Sequence, residues 1–195
     1  MQISNGVTTA TTDALGNYQF QTSNQSVEIL TPINAITNIG NAITSADALA
    51  ALKIAVGRNP NTDGSAVSPY QFIAADANQD GKVTSADALA ILKMAVKRAD
   101  APAKEWFFVN ENQDFWNEAV SSFTTTKTSV AWSKVLNVNT QADVNVNLVA
   151  VLKGDVNGNW AAPSSAPNLS SVNPTYFEDL SVKLGYPTSQ WGVVL

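Results

Sequence analysis

Oxygen-bearing side chains recur at short, fixed intervals between residues 76 and 87. The stretch reads Asp76-Ala77-Asn78-Gln79-Asp80-Gly81-Lys82-Val83-Thr84-Ser85-Ala86-Asp87. Counted as a twelve-residue loop, it has Asp76, Asn78, Asp80, Thr84 and Asp87 at positions 1, 3, 5, 9 and 12. Calcium takes roughly six to eight hard oxygen ligands in a flexible shell. Alternate side chains supply the first three, and the main-chain carbonyl of Lys82 supplies a fourth from position 7. Thr84 binds directly or through a water, and Asp87 closes the shell from the first turn of a following helix. Gly81 sits sixth, where the chain must turn sharply. Without a cation the three carboxylates would repel one another, so the spacing predicts a calcium site. The alternative is an acidic turn leading into a capped helix.

Two further segments hold parts of such a loop. Aligning Asp47 with Asp87 places Thr44 at position 9 and Asn38 at position 3. Ile36 and Gly40 then fall at positions 1 and 5, and Asn41 stands where glycine belongs. One reading of Thr44-Ser45-Ala46-Asp47 is a helix start alone, with Thr44 as N-cap and Asp47 facing the positive helix end. Asp155, Asn157 and Asn159 have the alternate spacing of positions 1, 3 and 5. Trp160 replaces the glycine there, and no acid follows at position 12. Each segment lacks what the other has. If they meet, the expectation is a second, weaker calcium site shared by Asn38, Thr44, Asp47, Asp155 and Asn157. The alternative for residues 155–159 is a plain turn after a strand.

Residues 84–98, TSADALAILKMAVKR, repeat residues 44–58, TSADALAALKIAVGR, with differences only at 51/91, 54/94 and 57/97. Such a duplication marks one loop-plus-helix unit used twice. On these residues the chain resembles a type I dockerin over roughly residues 33–102. The resemblance implies calcium as cofactor, a cohesin-like receptor in another protein, and an association with polysaccharide catabolism. It also implies partner contacts at Ser45, Ala46, Lys53 and Arg58 and at their counterparts Ser85, Ala86, Lys93 and Arg98. Their near identity would let a partner dock in either of two orientations. Trp106 to Val109, and Gly154 to Gly158 within VNLVAVLKGDVNGNW, are similar to the closing strand and GDVNG motif of secreted bacterial proteins carrying such repeats. These likenesses imply a segment of a larger secreted or cell-surface bacterial protein.

The helices that would position these groups are expected over residues 45–56 and 85–98. In the first, Leu49, Leu52 and Val56 form one stripe, and Ala48, Ala51, Ile54 and Ala55 widen it. A helix apolar nearly all round is expected to be buried on several sides. Either the flanks of this chain or a partner must cover it, and the former is the favoured expectation. Ser68-Pro69 starts a short helix whose Tyr70, Phe72 and Ile73 belong in the core.

The flanks read as strands. Residues 7–12 and 18–21 suggest a hairpin turning at 13–17, similar to those of small immunoglobulin-like modules. Residues 26–30, 105–109, 129–136 and 144–152 are further candidates, the last with the alternation of a half-buried strand. A helix is expected after Asn173-Pro174. The expected architecture is α+β: a dockerin-like helical module over 33–102 packed with a β-rich, immunoglobulin-like module from 1–32 with 103–195.

Composition narrows the chemistry. The net charge is −5 with no basic patch, which argues against a nucleic-acid partner. No apolar run is long enough to cross a membrane. Absence of cysteine excludes disulfides, and absence of histidine removes the commonest general base. No nucleophile elbow, phosphate loop or triad is present. The expected function is a non-catalytic, calcium-binding structural or protein-interaction module, its partner a cohesin-like domain or a neighbouring domain of the same protein. The alternative is carbohydrate binding through exposed tryptophans at 106, 116, 132, 160 and 191.

Overall fold

A computed structural model of the chain describes residues 2–13, 17–19, 27–33, 39–139 and 146–160. Asn38, Trp191 and the helix expected after residue 173 lie outside them. Two matching helices, α1 (Ser45–Ala55) and α3 (Ser85–Ala95), pack against each other. Each starts at a threonine N-cap whose hydroxyl accepts from the main chain of the first turn, while an aspartate three residues on accepts from the cap's own N–H. This reciprocal cap satisfies amides that a helix start otherwise leaves bare. Each helix stops in a left-handed residue, Gly57 at φ 77° and Lys97 at φ 55°. The N–H of the next residue then bonds back to Lys53 O or Lys93 O, closing the last turn. α1 therefore ends within one residue of the expected 56, whereas α3 ends three residues before the expected 98.

Between them, α2 (Pro69–Ala75) starts on Ser68 and ends on Asp76. Ala48, Ala51 and Ile54 of α1 and Ala88, Ile91 and Met94 of α3 share one core cluster with Leu152, Val156 and Trp160. Two of the three positions at which the repeats differ, 51/91 and 54/94, lie in that core. The expectation that α1 is buried on several sides is not met. Leu49, Leu52 and Val56 are exposed, and so are Leu89, Leu92 and Val96 at the same places on α3. Apolar composition states only what a helix could bury. Here the alanine-rich side, which permits close approach, faces the core, and the leucine stripe faces out.

The strands form small antiparallel sheets, so the chain is mixed α+β. β1 (Gln2–Ser4), β2 (Thr9–Thr11), β3 (Val27–Ile33) and β7 (Leu136–Asn139) make a sheet ordered β2-β1-β3-β7. β4 (Trp106–Asn110) pairs with β8 (Leu148–Leu152), and β5 (Trp116–Asn117) with β6 (Ser122–Phe123). The N-terminal strands thus join the C-terminal half through β3 and β7. A hairpin turns at residues 5–8, between β1 and β2. Asn5 Oδ1 accepts from the N–H groups of Val7 and Thr8 at 3.0 and 2.7 Å, and Gly6 takes φ 87°. At the turn expected over 13–17, Asp13 N–H donates to Asn17 O at 2.8 Å, and residues 14–16 lie outside the described residues. Residues 129–135 form no strand, since pairing with β3 begins only at Leu136. β8 is buried at every residue instead of alternating, with α2 against it. Its end, Leu152, also joins the core cluster of α1 and α3.

Candidate metal centre

The loop from Asp76 to Asp87 is held closed by its own main chain. Asp76 sits at the C-terminus of α2, and its two carboxylate oxygens accept from the N–H groups of Asp80 and Gly81 at 3.1 and 3.0 Å. Asn78 Oδ1 accepts from Asp80 N–H at 2.9 Å. Asp87 joins the two ends of the loop. Its Oδ1 accepts from Asn78 N–H at 3.1 Å, and its Oδ2 from Thr84 N–H and hydroxyl at 2.9 and 3.0 Å. Gly81 adopts φ 83°, the left-handed turn expected at its place in the loop. Asp87 is fully buried, whereas Asn78 and Asp80 are exposed at the open side. Burial raises the Asp76 carboxyl above its usual range, and the Asp87 and Asp80 charges push it the same way, against the Gly81 and Asp80 N–H bonds.

The loop also has an outer support. Val83 N–H donates to Lys127 O at 2.7 Å, and Val130 N–H to Gly81 O at 2.8 Å. Lys127 then reaches across to Ala55 O at 3.0 Å, placing a cation at the C-terminal end of α1.

The two incomplete segments meet and rebuild the same arrangement. Asp155 accepts from Asn159 N–H and Trp160 N–H at 3.1 and 3.0 Å, as Asp76 does from Asp80 and Gly81. Asn157 Oδ1 accepts from Asn159 N–H at 3.0 Å, as Asn78 does from Asp80. The closing bonds come from the far segment. Asp47 Oδ1 accepts from Asn157 N–H at 3.1 Å, and Asp47 Oδ2 from Thr44 N–H and hydroxyl, both at 2.9 Å. Residues 155–160 therefore stand as positions 1 to 6 of a loop whose positions 7 to 12 are residues 42–47. Ala77 and Val156 at position 2, and Val83 and Ile43 at position 8, are buried in one cluster.

Four of the five residues expected at the second site, Thr44, Asp47, Asp155 and Asn157, come together here. Asn38 lies outside the described residues, and its place at position 3 is filled by Asn157. Asn159 takes position 5, where the local alignment had put Gly40. Trp160 serves at position 6 because that position contributes a main-chain N–H, which any residue but proline has. Gly154 lets the strand turn into the split loop. It has φ 92°, and a Cβ there would lie 3.2 Å from Met94 Cε and 3.3 Å from Ile43 Cδ1.

The donor sets suit calcium. Each pairs buried carboxylates with amide and hydroxyl oxygens, which are hard ligands and leave no place for a thiolate or imidazole metal. In the split loop Asp47 and Asp155 are essentially without solvent contact, and both are acidic. Burial, then the Asp47 charge, pushes the Asp155 carboxyl up to about 7.

The residues expected to contact a partner sit at the helix ends. Ser45, Ala46, Arg58, Ser85, Ala86 and Arg98 are exposed, and Lys53 and Lys93 are half-buried. Asp100 bridges Lys93 and Arg98 at 2.9 and 2.7 Å. Its counterpart forty residues earlier is Pro60, so the repeats match in apolar surface but differ in charge.

Sequence reasoning missed Gln71. Its capping role was readable from Ser68-Pro69-Tyr70-Gln71, but its 3.2 Å bond to Val156 O was not. Among the described tryptophans none is exposed: Trp160 is buried edge-to-face on Trp106, and Trp116 and Trp132 are half-buried. Comparison with protein-family models, curated proteins and solved structures finds no match for this chain.

Proposed function

We propose that the chain is a non-catalytic, calcium-binding module of a secreted or cell-surface protein, holding one ion in a continuous loop and one in a split loop. Asp76, Asn78, Asp80, Lys82 through its carbonyl, Thr84 and Asp87 hold the first. Asp155, Asn157, Asn159, Thr44 and Asp47 hold the second. The observation that carries this reading is the bond-for-bond match between the cage of Asp76 and Asp87 and that of Asp155 and Asp47. A cap alone accounts for Thr44 with Asp47. It does not account for an unrelated segment arriving with the missing half.

Calcium in the split loop ties together residues 110 positions apart, which gives a cysteine-free chain a crosslink. The module also carries two matched apolar stripes, with Leu49 and Leu89 each 54% exposed. We read these as the surface covered by a protein partner of the cohesin type or by a neighbouring domain. The carbohydrate alternative lacks the exposed indole platform it needs among the described residues.

Calorimetric titration of the full chain tests the metal reading. The parent takes up two calcium ions, and Asp76→Ala and Asp155→Ala take up one each. A parent that binds no calcium, or an Asp76→Ala variant that binds as much as the parent, overturns it.

A further inference from the structure

We infer that the two calcium sites are coupled through α2 and Glu105, so that filling the split loop pre-forms the continuous one. The inference rests on the two-site reading above. α2 ends on Asp76, the first ligand of the continuous loop. Two bonds fasten α2 to the split loop: Gly154 N–H donates to Ala74 O at 2.8 Å, and Gln71 Nε2 donates to Val156 O at 3.2 Å. Gln71 is 3% exposed and is itself held by Ser68 and Asn61, so its reach to Val156 is fixed. Glu105 makes a second bridge. Its Oε2 accepts from Gln79 Nε2 at 3.1 Å, within the continuous loop, and from Lys153 Nζ at 2.9 Å, two residues before Asp155.

Both bridges join residues within five positions of the first carboxylate of each site. The shared core cluster, with Ala77, Val83, Val156 and Ile43 from the two loops, fills the space between them. An ion that orders Asp155 and Val156 therefore orders the C-terminal turn of α2, and with it Asp76. A second ion then meets a loop whose ordering cost is already met, which is positive coupling.

The test is calcium titration of the full chain, the Asp155→Asn variant and the Asp76→Asn variant. Calorimetry resolves the two sites, and Trp132, which lines a cleft with Asp76, Gln79 and Gly81, adds a fluorescence signal at the continuous loop. Loss of the split site should weaken the continuous site about tenfold, within the roughly 5- to 150-fold range of such couplings. Asp76→Asn should weaken the split site by the same factor, because linkage is reciprocal. Gln71→Leu keeps every proposed ligand and should reduce the factor, with circular dichroism in saturating calcium confirming that it folds. Continuous-site affinity equal in the parent and Asp155→Asn overturns the coupling while leaving both sites in place. A parent that binds only one ion overturns the two-site reading instead.

Discussion

Chelation of calcium lowers the melting temperature of the full chain by roughly 10–20 °C. An ion that binds only the folded state stabilises it by about 2.7 kcal/mol when present at a hundred times its dissociation constant. Two such ions contribute about 5 kcal/mol, and each kcal/mol moves the midpoint by roughly 2–4 °C in a chain of this size. The split site should matter at least as much as the continuous one. It closes Asp47 onto Asn157 across 110 residues and holds the end of β8 against the helices. Its removal frees the chain over a longer loop than removal of the continuous site does. Differential scanning calorimetry in calcium and in chelator measures this. Asp76→Ala and Asp155→Ala should each retain part of the calcium-dependent shift, and a midpoint indifferent to chelator contradicts the account.

The second large effect is an inverted pH dependence without metal. Asp155 has a folded-state value of about 7, against 3.8 for the ordinary aspartate. Between those values the folded chain keeps a proton that the unfolded chain releases. Metal-free stability therefore falls as pH rises from about 4 to 7, by up to about 4 kcal/mol at 1.36 kcal/mol per pH unit. Asp76, raised by burial and by its acidic neighbours, acts in the same direction. Asp63 and Asp100 are shifted down by their hydrogen-bond partners and oppose the trend, but both lie at the surface. Calcium reverses the sense, since the ion needs Asp155 ionised and loses affinity as it takes up a proton. Urea denaturation in metal-free buffer at pH 4.5 and pH 8 reads the effect. Greater stability at pH 4.5, largely lost in Asp155→Asn, is expected; equal or greater stability at pH 8 contradicts it.

How much of this was legible in the chain depended on whether the information was local. The turn and helix cap of the loop from Asp76 to Asp87 could be read because its polar spacing, Gly81 and the helix start are contiguous. The helix starts were equally plain, since Thr44 and Thr84 each precede an aspartate at the capping distance. The split loop was visible only as two fragments with complementary gaps. Its true position 3 and position 5 residues, Asn157 and Asn159, come from across the fold, and no local alignment to Asp47 could have found them. The Asn5-Gly6 turn was there to be read, since the pair has the chemistry of a tight hairpin turn. Alternation in residues 144–152 suggested an open face, yet α2 and the core clusters cover β8 on both sides. The leucine stripe of α1 shows the opposite limit: a pattern that usually means burial is left exposed on both repeats.

The most direct measurement is the anomalous scattering of calcium in crystals of the full chain grown with the ion. Two peaks are expected. One lies about 2.3–2.6 Å from carboxylate oxygens of Asp76, Asp80 and Asp87, and the other at the same distances from both Asp47 and Asp155. A map in which no peak touches Asp47 and Asp155 together contradicts the claim that two distant segments of this chain close one metal site.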